Sequence, residues 1–169
     1  MIGFAVSGSV AASWYVQSMQ IPLTSVEICA GAGGQALGLE AAGFMHRAVV
    51  ELDAHAVSTL RANRPGWNIV HGDVQDFDIE PYADDLDLLA GGVPCPPFSI
   101  AGKQLGQDDE RDLFPRALEL TAQSRPKALM LENVRGLAQP RFARYRNELV
   151  TELEELGYRT SVSYTHLRA

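Results

Sequence analysis

The feature that most constrains this chain is a strand that runs straight into a cluster of glycines and then into a helix. Ser25-Val26-Glu27-Ile28-Cys29 reads as a strand, and Ala30-Gly31-Ala32-Gly33-Gly34 follows at once. Gln35 to Ala42 is helical in composition, and Gly43 stands where a helix C-cap glycine belongs. The alternation then repeats. Ala48-Val49-Val50-Glu51 reads as a second strand, and Asp53 can N-cap a helix from Ala54 to Asn63 that Pro65 stops. Asn68-Ile69-Val70 gives a third strand and Leu86 to Ala90 a fourth. A long loop from Gly91 to Arg111 precedes a helix over Leu113 to Ser124 and a fifth strand over Ala128 to Glu132. Arg141 to Leu156 is helical, with Phe142, Tyr145, Leu149, Leu153 and Leu156 spaced by three and four residues. Gly157-Tyr158 ends it, and a sixth strand is expected over Tyr158 to Tyr164. Strands alternating with helices imply βαβ units, a mostly parallel sheet and a three-layer α/β sandwich.

Composition narrows the class. The chain has 169 residues, 46% of them hydrophobic and 21% charged, enough for one domain with a core and unlike a disordered chain. No apolar run approaches the roughly 18 residues of a membrane span, so no membrane partner is expected. Two cysteines, Cys29 and Cys95, make no disulfide framework and point to a reducing, cytoplasmic location. Residues 1–22 are small and apolar but lack the basic start of a signal peptide, the first Lys or Arg being Arg47. They read as a poorly ordered extension, and Met19 is an alternative start. One domain is expected over 23–162, followed by a tail, 163–169.

The net charge of −7 is the opposite of what a nucleic-acid-binding surface usually carries, yet it is uneven. Asp73 to Asp87 holds seven acids and no base, whereas Arg125 to Arg146 holds six bases and one acid, Glu132. A basic face and ordinary solvated helix charges are both compatible with that run.

In open α/β sheets ligands bind beyond the carboxyl ends of the strands. Gly31-x-Gly33-x-x-Ala36 satisfies a dinucleotide-type glycine fingerprint there. Glu51 follows Gly31 by 20 residues, at the end of the second strand, where a carboxylate accepts hydrogen bonds from ribose hydroxyls. Gly72-Asp73-Val74 adds a second carboxylate to the same rim. These residues call for a nucleoside-containing cofactor without separating NAD from S-adenosylmethionine. Cys29, inside the first strand, reads as a small buried hydrophobe beside it. Gly91-Gly92-Val93-Pro94-Cys95-Pro96-Pro97-Phe98-Ser99 follows the fourth strand. Its prolines stiffen the loop and hold Cys95 on the ligand rim rather than in the core. Glu132 ends the fifth strand, so a thiol and a carboxyl meet at adjacent strand ends, the pairing of a nucleophile with a general acid.

Assembled, these residues resemble the C5-cytosine DNA methyltransferases over about residues 24–160. Glu27 to Gly34 is similar to that family's Phe-Ala-Gly-x-Gly-Gly cofactor motif, with Cys29 in the place of the Phe. Pro94-Cys95 with Phe98-Ser99 matches its catalytic Pro-Cys motif, and Gly106, Asp109, Arg111 and Leu113-Phe114 its next one. Glu132-Asn133-Val134 matches its Glu-Asn-Val. The resemblance implies a Rossmann-like S-adenosylmethionine-dependent methyltransferase fold. It implies cofactor contacts from Cys29, Ala30, Gly31, Gly33, Gly34, Glu51, Leu52, Asp73, Val74, Pro94 and Leu113. Catalysis falls to Cys95 and Glu132, no metal is called for, and Ser99, Lys103, Gln104, Arg111 and Asn133 become DNA contacts. Two departures stand out. Pro96 occupies a position that is commonly Gln in the family. The family's Gln-x-Arg-x-Arg motif, target recognition domain and returning helix do not follow, and the ending Ser163 to Ala169 is unlike the family's continuation. The fold is therefore expected to be incomplete at its C-terminus, with the chain a truncated or misassembled reading frame.

The implied reaction moves a methyl group from S-adenosylmethionine to carbon 5 of cytosine in double-stranded DNA, through a covalent adduct with Cys95, in the manner of a restriction-modification system. The missing part would carry most of the DNA-reading surface, and the fragment alone is expected to be inactive. Three rivals stay in view. One is an inert or cofactor-binding-only methyltransferase fragment. Another is an NAD-binding oxidoreductase half, and the third a small-molecule methyltransferase. The last two leave Pro94-Cys95 unexplained.

Overall fold

The computed structural model describes residues 22–94 and 112–161. Five strands, β1 (Leu23–Ile28), β2 (Phe44–Glu51), β3 (Ile69–His71), β4 (Leu88–Gly92) and β5 (Ala128–Glu132), form one sheet in the order β3-β2-β1-β4-β5. Every pairing is parallel. Parallel neighbours need crossover connections, and these contain the helices α1 (Gly34–Ala41), α2 (Ala54–Asn63), α3 (Glu80–Ala83) and α4 (Phe114–Ser124), while α5 (Ala143–Glu155) follows β5. The winding reverses between β1 and β4. That reversal is the switch point where such sheets open a crevice for ligands.

The alternation of side chains along β1 sorts the layers. Val26 and Ile28 join Ala48, Val50 and Leu89 under Phe114, Ala117 and Leu120 of α4 and Phe142 and Tyr145 at α5. On the other face Val49 packs with Leu60 of α2, and Leu88 and Ala90 pack with Leu39 of α1. The result is the expected three-layer α/β sandwich. Both faces are covered over Val26–Ile28 of β1, Ala48–Val50 of β2 and Leu88–Ala90 of β4, where every residue is buried and all but Glu27 are apolar.

Helix boundaries follow local chemistry. Asp53 caps α2, its carboxylate accepting from the His55 and Ala56 amides at 2.9 and 2.8 Å. α4 buries Thr121 and Ser124 without an unmet polar group, because their hydroxyls donate to the carbonyls of Ala117 and Leu120. α5 ends at Gly157, whose φ of 93° suits a glycine. The Gly157 and Tyr158 amides close back onto Glu154 and Leu153.

Most boundaries shift by a residue or two from the sequence reading: β1 runs over Leu23–Ile28, which leaves Cys29 just past the strand rather than inside it, β3 over Ile69–His71 and α5 over Ala143–Glu155, and three further differences are instructive. β2 starts at Phe44 rather than Ala48, because Met45 and His46 pair with Thr24 and Ser25 ahead of an irregularity in β1. β4 runs over Leu88–Gly92 rather than Leu86 to Ala90, and takes in two glycines that read as loop. A Cβ on Gly91 would stand 2.6 Å from Ile28 Cγ1 and 2.9 Å from the Ile28 carbonyl oxygen. Gly91 is thus what a close β1–β4 seam requires and not a chain break. Residues 158–161 are irregular, and Tyr158 is instead an anchor whose hydroxyl donates to the Pro126 carbonyl at 2.6 Å. The rest of the expected sixth strand, like the extension before residue 22 and the tail, lies outside the described residues. β5 is the outermost strand on its side of the described sheet.

Candidate active site

All five strands end on one rim, and the parallel register sets which residues meet there. Glu51 pairs with His71 across β2 and β3, Ile28 with Gly91 across β1 and β4, and Gly92 with Glu132 across β4 and β5. Immediately beyond those pairs lie Asp73, the glycine turn, Pro94 and Asn133.

A cavity of about 460 Å³ opens along this rim. Glu51, Leu52 and Asp73 wall one end of it, and Gly92, Pro94 and Leu113 belong to the same space. Cys29, Gly31 and Val74 line it too. Ala30 is buried, and Gly33 and Gly34 begin α1 without reaching the cavity wall. Gly33 has a different task. At φ 91°, it sits where a Cβ would fall 2.6 Å from Leu60 Cδ2, so the turn packs directly on α2.

Glu51 is held by two backbone donors. Its Oε2 accepts from the Gly31 amide at 2.6 Å and its Oε1 from the Asp53 amide at 2.7 Å. Each carboxylate oxygen has a second acceptor site, so hydroxyl donors in the cavity can still be received. Leu52 next to it is 62% exposed, an apolar surface with no protein cover. Asp73 caps the short 3-10 turn Val74–Asp76 by accepting from the Gln75 amide at 2.9 Å. Two carboxylates, an uncovered leucine and a glycine turn in one cavity fit the sugar and base of a nucleoside.

Cys29 is not a reactive thiol. Burial, with the charges of Glu51 and Asp73 adding to it, pushes its pKa up to about 12, so it stays protonated. Its backbone is left-handed, at φ 53°. It contributes a small wall where an aromatic ring would narrow the cavity.

At the other end of the rim, Glu132 leans toward β4. Its Oε2 lies 3.7 Å from where a Cβ on Gly92 would stand, the same distance as the Cys29 carbonyl oxygen. Asn133 ties the two strand ends together, its Nδ2 donating to the Val93 carbonyl at 3.0 Å. Its Oδ1 accepts from the Val134 amide at 2.8 Å. This bracket fixes the backbone just before Pro94 and Cys95. Cys95 itself, with Ser99, Lys103, Gln104, Gly106, Asp109 and Arg111, lies outside the described residues.

The run of bases between 125 and 146 is largely engaged within the fold. Lys127 binds Asp85 and Asp87 at 2.8 and 2.9 Å, Arg144 binds Glu148 at 2.8 Å, and Arg146 donates to the Leu137 and Gln139 carbonyls. Of the two open readings of that run, these partners favour ordinary helix and loop charges over a basic face.

Two buried acids behind the rim give no strong sequence signal. Asp112, buried, accepts from the Phe114 amide at 3.0 Å and from the Tyr145 hydroxyl, and so ties the start of α4 to α5. Glu27 is 0% exposed in β1, and neither of its oxygens finds a partner among the described residues. Its signal is a charge inside an apolar strand, though nothing local says that it stays unpaired.

Comparison with known proteins gives concordant matches. Residues 23–169 match the C-5 cytosine-specific DNA methylase family. The chain is similar to the Type II methyltransferase M.NgoMIV of Neisseria gonorrhoeae, 64% identical over 135 residues that are 80% of this chain and 43% of the relative. It is 58% identical to the Type II methyltransferase M.NaeI of Lentzea aerocolonigenes over 145 residues, 85% of this chain and 34% of that one. It therefore spans less than half the length of either. Among solved structures it superimposes, at a TM-score of 0.66 and 29% identity, on a protein described as a DNA modification methyltransferase encoded within an E. coli prophage. That match covers 79% of this chain and 38% of the other.

Proposed function

Because the chain belongs to the C-5 cytosine-specific DNA methylase family, we propose that it is the cofactor-binding and catalytic part of a DNA cytosine-5 methyltransferase of a restriction-modification system. The observation that carries this reading is the single cavity that joins Glu51 and Asp73 to Pro94, the residue before Cys95, beside the Glu132 strand end. We assign residues 23–162 to this part. S-adenosylmethionine, when bound there, supplies an electrophilic methyl group.

The chain's own residues then have separate tasks. Glu51 offers its remaining acceptor sites to ribose hydroxyls, Leu52 an apolar face to adenine, and Asp73 and Val74 the contacts that recognise the adenine ring. The Cys95 thiolate adds to carbon 6 of cytosine. Glu132 holds the ring nitrogen N3 and its proton, which stabilises the charge that develops and makes carbon 5 nucleophilic. Once carbon 5 is methylated, loss of its proton expels the thiolate. The target base must leave the duplex to reach Cys95, at a cost of a few kcal/mol. Ser99, Lys103, Gln104 and Arg111 are assigned to DNA beyond β4. Asn133 is assigned there as well, and its bond to the Val93 carbonyl gives it a second task in holding the end of β4 ahead of Pro94. Double-stranded DNA is the partner, and a thiolate nucleophile suits the reducing cytoplasm. No helix among the described residues is long and apolar enough to cross a membrane.

Two measurements test this. Titration calorimetry on the chain should show S-adenosylhomocysteine binding that Glu51→Ala loses, and no preference for NAD. A preference for NAD would sink the cofactor assignment. In a chain extended to the length of its relatives, DNA containing 5-fluorocytosine should form a covalent adduct, because fluorine does not leave as a proton does. Cys95→Ser should abolish it, a hydroxyl being far less nucleophilic than a thiolate near neutral pH. An adduct that survives in Cys95→Ser would remove Cys95 from the mechanism.

A further inference from the structure

The turn that carries Asp73 and Val74 is seated on the core by Val74 and Phe77 but has few hydrogen bonds of its own. Within the 3-10 turn Val74–Asp76, closure rests on amide bonds to the Asp73 and Val74 carbonyls at 3.1 and 3.3 Å and on the Asp73 cap. Such short turns have poor hydrogen-bond geometry and bend readily. Arg116, in the first turn of α4, reaches across to it. Its Nε donates to the Val74 carbonyl at 3.0 Å and its Nη2 to the Phe77 carbonyl at 2.8 Å. Its Nη1 donates to Glu119 at 2.8 Å, which fixes the plane of the guanidinium from the helix side. The side chain is only 15% exposed. A guanidinium is a rigid fork that is always charged, so two carbonyls bonded to one fork keep a set spacing. The same helix is preceded by Leu113, which lines the cavity along with Val74.

We propose that Arg116 is a positioning residue that sets the adenine end of the cofactor cavity, by clamping the Asp73–Val74 turn to the helix that carries Leu113. The proposal rests on the cofactor reading above and deepens it: it assigns purine selectivity to a residue that does not touch the ligand. Asp73 and Val74 discriminate between bases only if their backbone is held at one distance from Leu113. Releasing the turn therefore costs recognition of the base more than it costs binding of the rest of the molecule.

The test compares S-adenosylhomocysteine with S-inosylhomocysteine, which differs only in its purine, an oxo group replacing the 6-amino group. Affinities of the chain for both are measured by calorimetry, with thermal midpoints recorded alongside. The unaltered chain is expected to prefer the adenosine compound. Arg116→Ala is expected to weaken that compound by about tenfold or more, the scale of losing charge-assisted hydrogen bonds, and to bring the preference close to one. Arg116→Lys keeps the charge and the stem but cannot span both carbonyls, so it should lose the preference too. It carries the test if Arg116→Ala does not fold. Glu119→Gln leaves both carbonyl bonds in place and should retain the preference. If both ligands weaken equally in Arg116→Lys while the preference persists, Arg116 is merely structural and the clamp is overturned. If the unaltered chain binds neither ligand, the cofactor reading itself falls, and the clamp with it.

Discussion

On the β3–β2–β1 side of the rim, the acids are tied to backbone amides close by or one strand away. Glu51 takes the Gly31 and Asp53 amides, Asp53 the His55 and Ala56 amides, and Asp73 the Gln75 amide. On the β4–β5 side the ties come from far along the chain. Asn133 reaches Val93, forty residues away, and Tyr145 of α5 reaches Asp112 across thirty-three. The proposed cofactor half is thus organised around Glu51 by its own turns and leans on α4 only at the Asp73 turn, through Arg116, whereas the proposed catalytic half is organised by the packing of α4 and α5. Damage to α5 should loosen the second half and leave the first intact, and damage to the seam between the halves should harm both.

The seam gives the largest effect. Gly91→Ala would place a methyl 2.6 Å from Ile28 Cγ1 and 2.9 Å from a backbone oxygen that cannot turn aside. Overpacking of that kind costs about 3 kcal/mol at the upper end of its usual range. Gly72→Ala, on the cofactor side, meets no atom within 4 Å and should change stability by less than about 0.5 kcal/mol. Urea denaturation of the two variants compares them directly. Equal costs would show that β1 and β4 separate easily and that the seam does not couple the halves.

Glu27 is the exception on the cofactor side, an acid without the backbone partners its neighbours have. Burial raises its pKa from 4.5 to about 7, offset in part by the nearby Ala36 amide. The folded protein therefore holds a proton that the unfolded chain has released between those two values. Stability contributed by the neutral carboxyl is present in full below about pH 4.5 and is lost as pH rises through about 7. Each tenfold difference in proton affinity between the folded and unfolded chains is worth about 1.4 kcal/mol, so the loss is on the order of 3 kcal/mol. Glu27→Gln should remove this slope, seen as the difference between wild-type and variant unfolding energies across about pH 5 to 8. A parallel pair of curves would mean that Glu27 finds a charged or donor partner after all.

The same contrast explains what can be read from the sequence. α2 is legible to the residue because its cap, Asp53, and its stop, Pro65, are local signals. Glu51 and Asp73 are legible because strand ends and glycine turns mark the rim without any knowledge of distant contacts. β4 reads two residues early because Gly91 and Gly92 look like a turn until Ile28 is brought against them. Arg116 has no local mark at all: its partners, Val74 and Phe77, lie 42 and 39 residues earlier and contribute backbone atoms that any sequence would supply. Motifs single out Cys95 and Glu132 as the catalytic candidates, but only the fold reveals that Asn133 braces the chain at Val93.

The smallest effect, and the one that separates the halves most cleanly, is expected from Tyr145→Phe. The ring keeps its edge-to-face contact with Phe114 at 6.0 Å, so packing is preserved and only the hydroxyl is lost. Asp112 then retains the Phe114 amide but has one buried oxygen less well satisfied, a cost of about 1 kcal/mol. That loss falls where α4 begins, next to Leu113, and not on the Glu51 or Asp53 amide bonds. Hydrogen exchange should therefore quicken by about fivefold at the Phe114 amide, in proportion to the lost stability if opening there is local. The Gly31 amide, bonded to Glu51 across the rim, should keep its protection. If protection falls equally at both amides, the two halves open as one unit, and the division between a locally tied cofactor side and a helix-tied catalytic side is wrong.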